Sequence, residues 1–213
     1  MKPENYHRLQ RLRLENGQAG FDQEAMRPRF ERLANRHENG AAPRAVTAYQ
    51  LFQTPPALAR KLVSLLELAP GARVLEPSAG LGRLLDQLQS HAPAEVVAVE
   101  MAPQCAGELF QQERERVTIK QRDFLTVTPG EIGAFDAVAM NPPFHMRSDI
   151  AHILHARCFL KPGGRLAAIC MSTDHRERAL RPLCDSWEVL PASTFAEAGT
   201  KVDAVLLTIS RDA

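Results

Sequence analysis

Arg73-Val-Leu-Glu-Pro-Ser-Ala-Gly-Leu-Gly-Arg-Leu-Leu85 reads as a buried strand, a glycine-containing turn and the start of a helix. That is the first βα unit of an open parallel sheet, and such sheets bind ligands at the crest formed by the carboxyl ends of their strands. A dinucleotide fingerprint wants a third glycine three positions after Gly82, where this chain has Leu85. A pyrophosphate therefore fits the turn poorly. Gly80 and Gly82 still let a ligand approach the backbone closely, and Glu76 at the strand end offers a negative group to an ammonium. The combination suits a zwitterionic amino-acid moiety better than two phosphates.

Downstream, Glu95-Val-Val-Ala-Val-Glu100 is a second buried strand, ending in a carboxylate 24 positions after Glu76. An acid at that place can accept both hydroxyls of a ribose, or can be a charged strand end in water. Pro103 to about Glu113 reads as a helix and Val117-Thr-Ile-Lys120 as a short third strand. Asp123-Phe124 then pairs a carboxylate, able to accept from an adenine amino group, with a ring that flanks the base.

A fourth strand, Phe135-Asp-Ala-Val-Ala-Met-Asn-Pro-Pro-Phe144, runs into a rigid elbow. Two prolines fix φ near −65° and remove two backbone donors, leaving carbonyls to accept from a ligand. Asn141 Oδ1 and the Pro142 carbonyl are neutral acceptors suited to holding a planar amino group by both its hydrogens, with Phe144 as an apolar wall for the attached base or amide. In isolation the same residues make a proline-stiffened surface turn. Ser148 to Leu160 follows as a helix, Lys161-Pro-Gly-Gly164 as a turn, and Arg165 to Met171 as a fifth strand. Thr173 to Asp185 is charged and helical. Trp187 to Leu190 and Val202 to Ile209 have no helix between them and pair as an antiparallel hairpin at the sheet edge.

Upstream, Thr54 can cap a helix that starts in the Pro55-Pro56 pair and runs to about Leu68, with Leu58, Leu62, Leu65 and Leu66 on one face. Residues 1–46 read as a helical extension broken by Gly17, Gly20 and Pro28, with nine basic residues against six acidic ones. It is either a tail packed on the domain or an arm that grips phosphates.

With 45% hydrophobic and 24% charged residues in 213, the composition is that of a globular protein, one domain of residues 47–213 plus the extension. A net charge of +1 argues against a strongly basic nucleic-acid coat and leaves room for a local basic patch. Four cysteines without a Cys-x-x-Cys pair point to reduced thiols, not to zinc or a disulfide framework. His145, His152 and His155 lie near the elbow without a metal-ligand pattern, and helix-surface histidines are more often structural. No apolar run suits a signal peptide or a membrane span, so the expected location is the cytoplasm.

Phe52-Gln-Thr-Pro55, Glu76-Pro-Ser-Ala-Gly-Leu-Gly82, Glu100, Asp123-Phe124 and Asn141-Pro-Pro-Phe144 together resemble the class I S-adenosylmethionine-dependent amino-methyltransferases, over residues 49–210. The motif order resembles N6-adenine methyltransferases whose methionine-binding segment comes first. Asp149 to Ala156, Lys161 to Gly164 and Phe195 to Thr200 are similar to small stand-alone methyltransferases of phages, plasmids and bacteria.

The resemblance implies that Phe52, Thr54 and the turn with Glu76, Ser78, Ala79, Gly80 and Gly82 hold the methionine portion. It gives the ribose to Glu100, beside Met101, and the adenine to Asp123 and Phe124. Asn141, Pro142, Pro143 and Phe144 would form the target-amine pocket, with Asn141 also bordering the cofactor. The expected fold is a Rossmann-like, seven-stranded, mostly parallel sheet with an antiparallel last strand. The expected reaction is methyl transfer from S-adenosylmethionine to an exocyclic amine, adenine N6 in DNA or RNA, without metal. Guanine N2 of ribosomal RNA, a protein glutamine and a non-catalytic nucleotide-binding module are the alternatives. Only four residues follow the last strand, which speaks against a large target-recognition domain in this chain.

Overall fold

The structure, a computed structural model, describes residues 53–195 and 203–212. The expected N-terminal extension and Phe52 lie outside the described residues. Seven strands form one sheet in the order β3-β2-β1-β4-β5-β7-β6. They are β1 (Arg73–Glu76), β2 (Glu95–Glu100), β3 (Val117–Gln121), β4 (Phe135–Met140), β5 (Leu160–Met171), β6 (Ser186–Val189) and β7 (Ala204–Ser210). The first five pair in parallel, while β7 runs antiparallel to both β5 and β6. The late pair expected from the sequence is there, with β7 inside the sheet and β6 at its edge. Helices α1 (Pro56–Ser64), α2 (Arg83–Gln89), α3 (Pro103–Gln111), α4 (Pro129–Ile132), α5 (Ser148–Arg157) and α6 (Asp174–Leu180) make the crossovers and flank the sheet.

Strand alternation divides the core in two. Val96 and Ala98 of β2, with Ala137 and Ala139 of β4, pack against Leu58 and Leu62 of α1 and Leu84, Leu85 and Leu88 of α2. On the other face Val97, Val99, Val138 and Met140 meet Phe124, Ile153 of α5 and Phe159. Because a strand sends successive side chains to opposite faces, one run such as Val96-Val-Ala-Val99 supplies both layers.

The structure departs from the sequence reading at two places that matter for position. Strand β5 begins at Leu160, ahead of the expected turn, and its register on β4 shifts between Phe135↔Leu160 and Ala137↔Arg165. Lys161-Pro-Gly-Gly164 is thus a bulge inside the strand. Gly164 permits it: a Cβ there would lie 2.9 Å from the Lys161 carbonyl oxygen and 3.1 Å from that of Asp136. Second, α1 is capped by Pro55 without a side-chain bond, which releases Thr54 from its expected capping role.

The bulge yields a stability test. Gly164→Ala should destabilise the fold by about 1–3 kcal/mol, because the new methyl meets backbone that cannot step aside. Gly130→Ala, in α4 with only Thr128 Oγ1 at 3.8 Å, should be neutral or stabilise by up to about 1 kcal/mol. Urea denaturation of both variants measures the difference, and equal losses would contradict the bulge geometry.

Candidate functional site

Sheet order reverses between β1 and β4, and open α/β sheets bind their ligands outside the strand ends at such a switch point. A cavity of about 570 Å³ opens there. Its walls are the turn from Glu76 to Leu81, the end of β2 from Glu100 to Gln104, Arg122 to Phe124, and the elbow Asn141 to Pro143, closed by Thr54 and His152. Of the residues singled out in the sequence, Thr54, Glu76, Ser78, Ala79, Gly80, Glu100, Met101, Asp123, Phe124, Asn141, Pro142 and Pro143 meet on this one surface. Gly82 and Phe144 are not on it.

Parallel pairing explains the meeting. Val74 and Leu75 of β1 pair with Ala137 and Val138 of β4, and Glu76 pairs with Ala98 of β2, so the three strands open on one edge of the sheet, with β2 running past the end of β1 to Glu100. Glu100 is fixed by its own neighbourhood: Oε2 accepts from the Gly80 amide and Oε1 from the Ala102 amide, both at 2.7 Å. Each oxygen keeps a second lone pair with which to accept from hydroxyls. Gly80, at φ +54°, takes the left-handed conformation that aims its amide at Glu100. Asp123 uses Oδ1 to cap the turn that begins at Phe124, accepting from the Leu125 amide at 3.0 Å.

Glu76 is the test of whether a cationic ligand fits. Its side chain is 1% exposed, it lines the cavity, and Oε2 has no hydrogen-bond partner. Burial pushes its carboxyl well above the ordinary range; the Arg114 guanidinium pulls it back, and Glu100 and Asp86 push it up further. A buried carboxylate without a partner is costly, and an ammonium delivered into the cavity removes that cost. The site therefore fits an amino-acid cofactor end such as that of S-adenosylmethionine.

The elbow is held from outside. Asn141 Nδ2 donates to Thr54 Oγ1 at 3.1 Å, which sets the plane of the carboxamide. Ser148 Oγ reaches the carbonyls of Pro143 at 2.6 Å and His145 at 2.7 Å. Arg176 Nη2 donates to the Phe144 carbonyl at 3.1 Å while its Nε binds Asp149 Oδ2 at 2.5 Å. Met146 and Arg147 turn the chain with φ +49° and +63°, uncommon for residues with a Cβ. Arg176 and Asp149 were not singled out as site residues in the sequence, and it is the fold that pairs them across 27 positions. Phe144, expected as a wall for a base, is 5% exposed and belongs to the core cluster of α1 and α2.

His152 lies on the cavity side of α5, with Nδ1 3.5 Å from Ser78 Oγ and its ring 5.8 Å from that of Phe124. Burial holds its pKa below the usual histidine value, so the ring is neutral at pH 7. Burial also pushes the Cys170 thiol up to about 12 and that of Cys184 to about 11, and none of the cysteines lines the cavity. Among the described residues, no three of His, Cys, Asp and Glu are grouped to hold a metal ion, and no helix is long and apolar enough to cross a membrane.

The fold is shared with solved methyltransferases. TrmN of Thermus thermophilus matches with a TM-score of 0.60 at 22% identity, over 73% of this chain and 48% of that one. A putative RNA methyltransferase of Pyrococcus horikoshii matches at 0.61 and 18%, over 81% of this chain and 92% of that one. A modification subunit of a putative type I restriction enzyme of Vibrio vulnificus matches at 0.64 and 18%, over 91% of this chain and 51% of that one. The chain thus spans about half the length of the first and third of these, and at such identities the likeness is one of fold. A search of curated proteins returned no match. The family model for the methyltransferase small domain matches residues 58–194. The chain belongs to that family, and the cofactor this implies is S-adenosylmethionine.

Proposed function

We propose that the protein methylates an exocyclic amine, adenine N6 of a nucleic acid. The observation that supports this reading is the delivery of Asn141, Pro142 and Pro143 to the wall of the same cavity that carries Glu76 and Glu100. Thr54 occupies the Asn141 amide nitrogen, so the carboxamide oxygen is the end turned toward acceptor chemistry. Together with the Pro142 carbonyl it accepts the two hydrogens of an amine, bends them out of the base plane and leaves the nitrogen lone pair facing the cofactor side of the cavity. S-adenosylmethionine, when bound, supplies an electrophilic methyl group on its sulfonium.

Alignment is then the chain's main contribution, since holding two reactants in register is worth a large effective concentration. Glu76 holds the ammonium, Glu100 the ribose hydroxyls, and Asp123 with Phe124 the adenine. A base within a duplex must be extruded to reach Asn141, whereas one in a single strand is presented at less cost. The RNA methyltransferase and restriction-modification proteins of the same fold are consistent with a nucleic-acid substrate. The basic composition of the segment before residue 47 supports a role for it as a phosphate contact. Transfer of labelled methyl to DNA, RNA and protein fractions tests the substrate class: N6-methyladenosine or its 2′-deoxy form in digested nucleosides supports the reading, and label in protein glutamine or on a ring nitrogen overturns it.

Three variants separate the roles. Asn141→Ala should lower turnover by about 10²–10³, the usual worth of a positioned electrostatic contact, with cofactor affinity nearly unchanged by calorimetry. Phe144→Ala should lose about 3–5 kcal/mol of stability in urea, as for a core phenylalanine. A folded, fully stable variant with selectively weakened substrate binding would instead restore the stacking role. Glu76→Gln should weaken cofactor binding yet raise the Tm of the cofactor-free protein at pH 7. The folded-state pKa of Glu76 lies above its unfolded value, so the folded protein is stabilised relative to the unfolded chain at low pH and that gain is lost as pH rises from about 4.5 through the folded value; a neutral amide escapes this loss. A lower Tm for Glu76→Gln would show that the carboxylate is compensated in the free protein.

A further inference from the structure

Between Pro143 and α5 the backbone is strained around an exposed apolar side chain. Met146 has φ +49° and ψ +30°, and Arg147 φ +63° and ψ +25°, two consecutive left-handed residues of which neither is glycine. Such backbone is unfavourable for a residue with a Cβ and persists where the surroundings impose it. Here they do, because three successive carbonyls ahead of Met146 are held from α5 and α6. Those of Pro143 and His145 accept from Ser148 Oγ at 2.6 Å and 2.7 Å, and that of Phe144 accepts from Arg176 Nη2 at 3.1 Å. The side chain so presented is scarcely covered. Met146 is 86% exposed, more than any other large hydrophobic residue among those described. His145 and Arg147 beside it are exposed as well, and neither takes part in an ion pair among the described residues. Pro143 is on the cavity wall, and three residues of chain span at most about 11 Å, so Met146 stands close beside the amine pocket.

We propose that Met146 is a wedge for duplex nucleic acid, entering the base stack at the gap left when the target base is extruded toward Asn141. The inference deepens the reading of this site as a nucleic-acid amine methyltransferase and rests on it. A base inside a duplex reaches a concave pocket only by leaving the stack, and the hole it leaves is bounded by the apolar faces of its neighbours. A side chain that fills the hole has to be apolar and slender, on a backbone that does not yield. Methionine is unbranched and polarizable and adapts to irregular gaps, and apolar side chains including Met are used as wedges between base steps. The rigid backbone is the one described: the carbonyls before Met146 are already fixed, so insertion orders no further main chain. The same bonds hold the elbow that carries the Pro142 carbonyl and Asn141. Wedge and amine acceptors are therefore mounted on one piece, at a fixed spacing, as receiving the base and filling its place together require. Arg147 adds an exposed cation for the phosphates that flank the gap. A protein partner is met by a contiguous apolar patch, whereas Met146 stands between His145 and Arg147.

The test compares methyl transfer by the full-length protein to one adenine-containing oligonucleotide in three forms, made both as DNA and as RNA. These are the single strand, the strand annealed to its complement, and the strand annealed to a complement with an abasic nucleotide opposite the methylated adenine. Met146→Ala should lower kcat/KM on the full duplex by about 10–100-fold, as for loss of help in unstacking a base step. The loss should be smaller on the abasic duplex, where extrusion costs less, and absent on the single strand. Met146→Leu should retain most duplex activity, and calorimetry should show unchanged S-adenosylhomocysteine affinity in both variants. Met146→Gly should lose duplex activity while its Tm rises, since glycine adopts the left-handed conformation without strain. Equal losses on all three forms would make Met146 a structural residue of the elbow and overturn the proposal. Undiminished duplex activity in Met146→Ala, or a wild type that methylates only the single strand, would overturn it too. A wild type that methylates protein and neither nucleic acid would instead remove the reading on which the wedge rests. Should Met146→Ala fail to fold, Met146→Gly and Met146→Leu carry the same comparison.

Discussion

The elbow after β4 has a supply problem: Pro142 and Pro143 bring carbonyls but no amide hydrogens, and the chain must still reverse within a few residues. The buried Asp149–Arg176 pair solves it. Arg176 donates to the Phe144 carbonyl, Asp149 neutralises Arg176 and also accepts from the Met171 amide at 3.3 Å, so α5, α6, β5 and the elbow are tied at one point. Both partners are buried, and removing one member of such a pair typically costs about 3–5 kcal/mol, because the other charge remains without compensation. Ser148 completes the brace from the first turn of α5. The two left-handed residues Met146 and Arg147 persist because the carbonyls before them are fixed from both sides.

How much of this could be read from the residues depends on whether a signal is local. Strand runs such as Val96 to Val99, the glycine turn and the Asn-Pro-Pro elbow are local, and all appear where their composition places them. The antiparallel pairing of β6 with β7 was legible from the lack of a helix between them. Boundaries that depend on partners were not: the early start of β5 needs a residue at 164 without a Cβ, because the Asp136 carbonyl of β4 lies there, and that neighbour is outside the local sequence.

Side-chain direction was the other hidden quantity. Thr54 sits where a cap belongs, yet its hydroxyl goes to Asn141, 87 positions away. Phe144 ends the motif, but the brace on its carbonyl turns its ring into the core. His152, read as one of several helix histidines, reaches the cavity because α5 packs its inner face against Phe124. Gly82 was read as a place for a ligand and has the Arg114 guanidinium against it, with Nη2 2.7 Å from where a Cβ would lie. In each case the partner came from a distant element.

The cavity has two halves with different mechanical supports. The Glu76 and Glu100 half is made by backbone amides of the β1–α2 turn and the end of β2, with Glu100 bonded to Gly80 and Ala102. The Asn141 half is made by the elbow and is braced by α5 and α6. Beyond the pairing of β1 with β4, side-chain links across the cavity include Asn141 to Thr54 and His152 to Ser78, the second long at 3.5 Å, and Phe144 shares a core cluster with Ala79. A perturbation of the elbow therefore acts first on α5 and α6, which brace it, and not on the backbone amides that hold Glu100. That is the physical ground for treating cofactor binding and amine positioning as separable functions of one surface.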